Sequence, residues 1–430
     1  MSKRRRTGRK RPSTVSAAGT TQAAVAAPVR RAPARRPSPR EAPREVATPP
    51  GRVDHAWVGG LLAGLVSFVV YAVTVHPSLP TGDSGELISA ASVLGVAHPP
   101  GYPLYTLLGH AAMWLPFGEP AVRMNLLSAV LDAAAVGVVF VLVHRLVGRR
   151  GWAPLVAATV GALLLAFSTV FWTYSVVAEV FALNNLFAAV LLLVAVEWHR
   201  RPERVRLLWV LAFLLGLALT NQQTILVLLP ALALLAWRPV RRVHVRDAAA
   251  ALGLFVAGLL PYLYLPFAAR RDPAVDWGDP ETFGAFRSVV TRANYGTFTL
   301  SAQGRKGSAS EQLSLLTGNL AHGFVFVGLL LAALGVWWAW RHRRVEGLAL
   351  ALAFVVAGPV FVAYARVYVA DDLTKGVIER FYMLPSIPLA ALAGLGAWQT
   401  LLWAQSRRLP AAVAVGAGVA LLAVPVAAAV

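Results

Sequence analysis

Trp57–Val75 reads WVGGLLAGLVSFVVYAVTV, and Pro80–Pro103, shortly after it, reads PTGDSGELISAASVLGVAHPPGYP. The first stretch is long and apolar enough to cross a bilayer as one helix. The second places Asp83, Glu86 and His98 where a lipid-facing sequence would carry no charge. Because charged groups near hydrocarbon cost free energy, a membrane protein keeps them there for function or for a specific polar pairing. The pattern predicts a membrane protein with a reactive loop after its first helix.

The composition of the whole chain agrees with this prediction. Hydrophobic residues make up 57% of the 430 positions, charged residues make up 14%, and the mean hydropathy is +0.61. A soluble globular chain carries roughly 45–50% apolar and about 25% charged residues, so the composition is that of a polytopic membrane protein. The chain has no cysteine, which excludes disulfides, thiolate metal sites and cysteine nucleophiles.

Residues 1–54 differ in composition from the rest of the chain. They carry fourteen Lys/Arg against three acidic residues, out of a net charge of +20, and almost no large apolar side chain. Such a segment buries too little apolar surface to offset the entropy lost on folding, so we predict a disordered, basic cytoplasmic tail. Contact with anionic lipid or nucleic acid is the alternative role for this charge.

Residues 55–430 are predicted to form one transmembrane domain of about eleven helices, because eleven runs are apolar enough to cross or enter the bilayer. These runs are 57–75, 122–143, 152–170, 179–196, 207–220, 222–237, 248–268, 320–340, 347–368, 382–403 and 410–429. The Arg-rich loops between them then fall on one side, which the positive-inside rule makes cytoplasmic. Basic loops at both ends of 207–237 require an even number of passes, so two short helices are predicted there.

The opposite, outer side receives two long loops, 76–121 and 269–319, and the short segment Tyr368–Phe381. Within the first loop, Pro103–Leu115 is predicted to lie along the membrane surface, since counting it as a span would place the later arginines outside. The predicted fold is an all-α polytopic bundle whose outer loops hold its chemistry.

Asp83 and Glu86 are the first candidates for that chemistry. They lie three residues apart, so a helix beginning after Pro80 would place both on one face. The helix dipole favours a carboxylate near such an N-terminus, and a carboxylate within reach of a substrate hydroxyl can act as a general base. The alternative is helix capping, because Thr81 and Ser84 are also cap-type residues and Glu86 could complete a capping box.

The segment His98–Pro103 cannot be regular helix, because its three prolines lack backbone donors and push the residues before them towards extended conformations. His98 could donate a hydrogen bond to a phosphate or cap the next helix. Tyr102 could contact substrate or belong to an interfacial aromatic belt. We retain both residues as candidates for substrate binding.

Further charged residues lie at or near the predicted spans. Arg123 opens the second span, and Asp132 and Glu179 lie within otherwise apolar sequence, where an acid is expected to face the bundle and find a partner. Arg292 and Arg380 lie in the outer segments and could bind a lipid phosphate, since arginine grips phosphate through paired planar donors. Helix-packing contacts and local ion pairs are the alternatives.

Several motifs are absent from the sequence. It has no phosphate-binding loop of the Gly-x-x-x-x-Gly-Lys-Ser/Thr type, no dinucleotide fingerprint and no Gly-x-Ser-x-Gly nucleophile turn. Three pairs of acidic residues in the outer segments could hold a hard cation through oxygen ligands, but nothing in their spacing favours this. We therefore expect no metal and no cofactor.

Five segments in order resemble one family of membrane proteins, formerly of unknown function, which includes the vertebrate O-mannosyltransferase of plexin-type receptor domains. The segments are Pro80–Leu131, Phe167–Asn185 (FSTVFWTYSVVAEVFALNN), Leu217–Gln223, Asp276–Gly296 (DWGDP…TRANYG) and Glu379–Pro388 (ERFYMLPSIP). The resemblance covers most of residues 57–405.

This resemblance implies a GT-C type glycosyltransferase with a polyprenyl-phosphate-linked sugar as donor and inversion at the sugar carbon. It makes Asp83 the preferred base and Glu86 the second choice. The candidate substrate-binding residues are His98, Tyr102, Arg123, Glu179, Arg292 and Arg380.

We therefore expect an enzyme that transfers a sugar, mannose by resemblance, to a hydroxyl of a protein or glycan, with no nucleic-acid partner. The Ala/Arg/Val-rich composition is typical of a bacterium with GC-rich DNA, which predicts a cell-membrane location with the site on the outer or periplasmic face and the N-terminus in the cytoplasm. The alternative function is a transporter or lipid-linked sugar flippase that uses Asp132 and Glu179 as coupling groups.

Overall fold

The computed structural model describes residues 54–299 and 306–407. Over these residues the chain is helical apart from turns, with two isolated bridges and no β-strand, so the predicted all-α fold is confirmed. The α-helices are α1 (His55–Val73), α2 (Ser84–Val93), α3 (Pro103–Ala112), α4 (Pro120–Val147), α5 (Trp152–Ala166), α6 (Thr169–Ser175), α7 (Val180–Arg200), α8 (Arg206–Leu219), α9 (Leu229–Ala236), α10 (Val245–Gly258), α11 (Tyr264–Ala269), α12 (Phe283–Val290), α13 (Ala309–Gly323), α14 (Val327–His342), α15 (Arg344–Val355), α16 (Phe361–Ala365), α17 (Asp372–Glu379) and α18 (Met383–Ser406). The predicted tail, apart from Asp54, and the predicted run 410–429 lie outside the described residues.

Within the described residues, six helical stretches are long and apolar enough to cross a membrane, or eight if two bent pairs each count as one span. The six are His55–Val73, Pro120–Val147, Val180–Arg200, Val245–Ala269, Arg344–Ala365 and Thr374–Ser406. The region predicted to hold two short helices contains two shorter apolar ones, Arg206–Leu219 and Gln223–Ala236. The chain is therefore a multi-pass membrane protein, and the predicted count of eleven spans is not confirmed.

Two of the predicted spans are bent. α5 and α6 meet at 66°, and α13 and α14 meet at 98°. The prediction of one continuous helix over 320–340 is wrong, because Val325 and Phe326 adopt φ angles of 52° and 50°, which a right-handed helix cannot contain. These angles fall on bulky apolar residues that rarely adopt them, so the sequence pattern did not signal the break.

Helix α18 lies at the centre of the bundle and is almost entirely buried. It packs against α4, α5, α7, α14 and α15. Its sequence mixes large apolar residues with Ala and Gly, and such small residues let helix backbones approach closely in membrane bundles. This packing fixes the position of the residues that precede α18, where Arg380 lies.

The close contact between α14 and α18 predicts a stability effect. A Cβ added at Gly335 in α14 would lie 1.8 Å from the Leu392 carbonyl oxygen of α18, whereas a Cβ at Gly253 in α10 would meet nothing within 4 Å. We expect Gly335→Ala to lower the free energy of unfolding by about 1–3 kcal/mol through overpacking, and Gly253→Ala to raise it by about 0.5–1 kcal/mol because Ala is the better helix former. Chemical denaturation in detergent micelles measures both, and equal stability of the two variants would contradict this packing.

Candidate active site

Asp83 and Glu86 lie at the start of α2, and neither of them caps that helix. Asp83 occupies the N-cap position, but its side chain makes no capping hydrogen bond. Its Oδ2 instead accepts a hydrogen bond from Arg380 Nη1 at 2.8 Å. Glu86 Oε1 accepts one from the His98 backbone N–H at 2.5 Å. The helix-capping alternative is therefore wrong, because Asp83 contacts Arg380 from the last outer segment and Glu86 contacts His98 in the turn after α2.

Arg380 joins the first and last outer segments at a point just before α18. The same Nη1 that contacts Asp83 also donates to Glu179 Oε1 at 2.6 Å. The side chains of Arg380 and Glu179 are 8% and 3% exposed, whereas that of Asp83 is 42% exposed. Burial raises the pKa of Glu179, and the positive charge of Arg380 opposes this rise. Of the two carboxylates that Arg380 holds, Asp83 is the one a substrate can reach.

Side chains of the neighbouring helix α4 hold the backbone at Glu179 in place. The side chains of Asn125 and Ser128 in α4 accept hydrogen bonds from the backbone N–H groups of Ala178 and Glu179, at 2.8 Å and 3.3 Å. Glu179 directly precedes α7, so these contacts hold the start of α7 against α4. The buried acid therefore lies at the N-terminal end of α7, where it meets Arg380, and not partway along that helix.

Glu86, His98 and Tyr102 form a chain of hydrogen bonds. The His98 Nδ1 atom lies 3.0 Å from Glu86 Oε2, and its Nε2 lies 3.1 Å from the Tyr102 hydroxyl. Because Nδ1 faces a carboxylate, it carries the ring proton, and Nε2 then accepts from the tyrosine hydroxyl. Burial raises the pKa of Tyr102, so its hydroxyl keeps its proton. The chain fixes the imidazole and the phenol in the wall of the site.

The second outer loop contacts the first through backbone hydrogen bonds. Val96 N–H donates to the Val275 carbonyl at 2.8 Å, and Trp277 N–H donates to the Val96 carbonyl at 3.1 Å. The ring of Trp277 then lies 6.5 Å from that of His98. The same loop carries Arg292, which has a positive φ of 56° and forms no ion pair within the described part of the chain.

These residues surround one polar cavity of about 310 Å³. All of the predicted site residues except Arg123 line it, namely Asp83, Glu86, His98, Tyr102, Glu179, Arg292 and Arg380. Residues that the sequence analysis did not single out also line it, among them Gln222, Trp277 and Tyr295. The two aromatic residues lie in polar outer-loop sequence, where an exposed ring is a usable signal for a binding site.

Arg123 and Asp132 have other partners. The Arg123 guanidinium donates to the backbone carbonyls of Phe117, Met113 and Gly118, at 2.7, 2.5 and 2.9 Å, so it holds the turn before α4 and does not reach the cavity. Asp132 is fully buried and accepts from Ser175 Oγ and Asn185 Nδ2, both at 2.9 Å. Asp132 thus makes the helix-packing contact that the sequence left as an alternative.

A second, larger cavity adjoins the polar one. It has a volume of about 890 Å³ and is lined mainly by apolar side chains of α10, α12 and the turns around Leu226 and Val360. Gln222 and Arg292 line both cavities, so the two meet there. In the described parts of the chain, no three His, Asp or Glu side chains come close enough to hold a metal ion.

The fold is shared with two solved structures of ArnT from Cupriavidus metallidurans, one bound to undecaprenyl phosphate and one in the apo state. Each aligns with a TM-score of 0.54 over 80% of this chain and 60% of ArnT, at 17% and 16% sequence identity respectively. The chain therefore has the GT-C type of fold that the resemblance implied.

The sequence comparisons show which named proteins the chain is similar to. Residues 83–243 match the family model described as the Protein O-mannosyl-transferase TMEM260 N-terminal domain. The chain is 37% identical to Protein O-mannosyl-transferase TMEM260 of Mus musculus over 79% of its own length, and 28% identical to the Dictyostelium discoideum protein of that name over 76%. It spans 50% and 43% of those relatives, about half of each. The resemblance recognised in the sequence motifs is confirmed.

Proposed function

We propose that this chain is the membrane part of a protein O-mannosyltransferase that moves mannose from a polyprenyl phosphate to a Ser or Thr hydroxyl. The observation that carries the proposal is the accessible Asp83 carboxylate, which shares a polar cavity with Arg292 and Arg380 beside a large apolar cavity. The mannose and the protein acceptor are carried over from the relatives' names.

The two cavities suit a lipid-linked sugar. An isoprenoid tail fits the apolar cavity, which is lined by side chains of α10 and α12 among others. The phosphate would lie where that cavity meets the polar one, at Arg292. Arg380 contacts both carboxylates through Nη1 alone, which leaves its other N–H groups to donate to phosphate oxygens. Fixed guanidinium groups stabilise the negative charge that develops on a leaving phosphate.

The reaction follows from these positions. Asp83 accepts the proton of the acceptor hydroxyl as that oxygen attacks C1 of the sugar. The bond between C1 and the phosphate oxygen breaks, and the polyprenyl phosphate leaves with the bonding electrons. Attack from the face opposite the leaving group inverts C1. The His98 and Tyr102 side chains, fixed by Glu86, border the sugar, and the reaction needs no cofactor besides its donor substrate.

The positive-inside rule supports an orientation with this site on the outer face of a cell membrane and the N-terminus in the cytoplasm. Most residues that form the cavity belong to the segments predicted to be outside, and Glu179 lies at the end of a predicted span, whereas the Arg-rich loops lie at the other ends of the spans. An accessible cavity at the outer face would meet acceptor proteins during or after export.

The proposal is tested by incubating the purified chain in nanodiscs with radiolabelled polyprenyl-phosphate mannose and a library of Ser/Thr-containing peptides. We expect label in peptide, and none when GDP-mannose replaces the lipid donor. Label transferred from GDP-mannose would contradict the donor class. Movement of the lipid-linked sugar across liposomes without any transfer would instead establish the carrier alternative.

A further inference from the structure

A third cavity adjoins the candidate active site, and we call it the outer groove. It has a volume of about 420 Å³ and lies between the start of α2, including Glu86 and Ser89, and residues 274–278 of the second outer loop. Glu86 and Trp277 line both the outer groove and the polar cavity that contains Asp83. The outer groove therefore reaches the site from a different direction than the apolar cavity does.

This arrangement separates the approaches of the two substrates. The apolar cavity meets the polar one at Gln222 and Arg292, and the donor lipid would fill that entrance. The acceptor hydroxyl must reach Asp83 while the donor is bound. Of the cavities described above, the outer groove is then the one that still gives polar access to the site. It opens into the polar cavity at Glu86 and Trp277, and Glu86 lies one turn of α2 away from Asp83.

The wall of the outer groove is held in place before any ligand arrives. Residues 275–277 are hydrogen-bonded to Val96 of the first outer loop on both sides of Asp276. The Trp277 side chain is 44% exposed and stands beside His98. A fixed backbone with an accessible tryptophan is the kind of surface that binds an extended peptide at low cost in ordering entropy.

The charge of the outer groove is negative. Its lining includes two carboxylates, Glu86 and Asp276, and no Lys, Arg or His. Asp276 Oδ1 is enclosed and has no hydrogen-bond partner among the described residues. Partial burial, and then the negative charges of Asp279, Asp272 and Glu281, raise the pKa of Asp276. A groove lined by one sign of charge attracts ligands of the opposite sign.

We propose that the outer groove binds the polypeptide acceptor and selects a Ser or Thr that has Lys or Arg beside it. The acceptor class rests on the proposed function, whereas the preference for a basic neighbour rests on the groove itself. Asp276 contacts the basic side chain, Trp277 packs against the peptide, and the hydroxyl points past Glu86 towards Asp83. Asp276 is thereby a specificity-determining residue.

The test measures binding without turnover, so it does not depend on transfer. Three fluorescent Thr-containing peptides, with Lys, Ala or Glu on both sides of the Thr, are titrated against the protein in zwitterionic nanodiscs, with empty nanodiscs as the lipid control. We expect the Lys peptide to bind about 5-fold more tightly than the Ala peptide, as for a partly exposed charge pair. The Glu peptide is expected to bind most weakly, and added salt to reduce the difference.

Two variants then test whether Asp276 is the residue that causes the preference for the Lys peptide. Asp276→Asn is expected to bring the ratio of Lys-peptide to Ala-peptide affinity close to one. Glu311→Gln, which removes a carboxylate of α13 that lines none of the three cavities, should leave the ratio unchanged. Equal binding of the three peptides to the wild type, or an unchanged ratio in Asp276→Asn, overturns the inference. Selective binding without any transfer would instead count against the proposed function alone.

Discussion

Replacing Asp83 with Asn is expected to lower the rate of mannose transfer by about 10³-fold, within the range of about 10²–10⁴ that general acid–base groups contribute. The amide has the size of the carboxylate but cannot take the acceptor's proton. Because the Asp83 side chain is 42% exposed and Glu179 still pairs with Arg380, the fold and donor binding should persist. Initial rates with radiolabelled donor, together with donor affinity, measure both effects.

Glu86→Gln is the matched control, since it removes the other carboxylate at the start of α2. The amide carbonyl of Gln can still accept the His98 backbone N–H that Glu86 Oε1 accepts. The charge and one of the two oxygens that face His98 Nδ1 are lost, while the remaining oxygen can still orient the imidazole, so a decrease of about 10-fold is expected. Transfer abolished in Glu86→Gln and retained in Asp83→Asn would reverse the two roles and refute the mechanism.

The local pattern of the first outer loop was sufficient to single out Asp83. A carboxylate next to a membrane helix costs free energy, so its presence there indicates a function or a specific polar partner. It was not sufficient to choose between a base and a helix cap. That choice depends on Arg380, which lies 297 residues further along the sequence and contacts Asp83 only once α18 has packed against α4 and α7. No spacing rule within one sequence relates residues so far apart.

Arg123 and Arg292 also show that sequence context does not predict which partners a charged side chain has in the fold. Both are arginines at or near the outer ends of helices, so their sequence contexts predicted the same role. The structure places Arg123 against three backbone carbonyls and Arg292 between the two main cavities. The difference arises from the turn at Phe117–Gly118, which supplies carbonyls to the Arg123 guanidinium, and from the positive φ of Arg292.

Hydropathy likewise predicts which runs are helical but does not predict where a helix bends.

Arg380→Met is expected to abolish transfer and to lower the free energy of unfolding by about 3–5 kcal/mol, the usual effect of removing one partner of a buried ion pair. Glu179 is 3% exposed, so its carboxylate would remain buried without a counter-charge and beside Asp83. Met occupies a similar volume, which limits the effect of a void. Chemical denaturation in micelles and the transfer assay measure the two losses separately.

The double variant Arg380→Met with Glu179→Gln separates the structural role of Arg380 from its role towards the donor. Neutralising Glu179 removes the unpaired buried charge, so most of the lost stability should return. Transfer should not return, because the guanidinium that holds Asp83, and that in the proposed reaction binds the leaving phosphate, is still absent. Recovery of transfer in the double variant would show that Arg380 acts only by compensating Glu179, and the phosphate would then depend on Arg292 alone. Stability that stays low would mean instead that Arg380 supports the outer end of α18 through contacts beyond its two carboxylates.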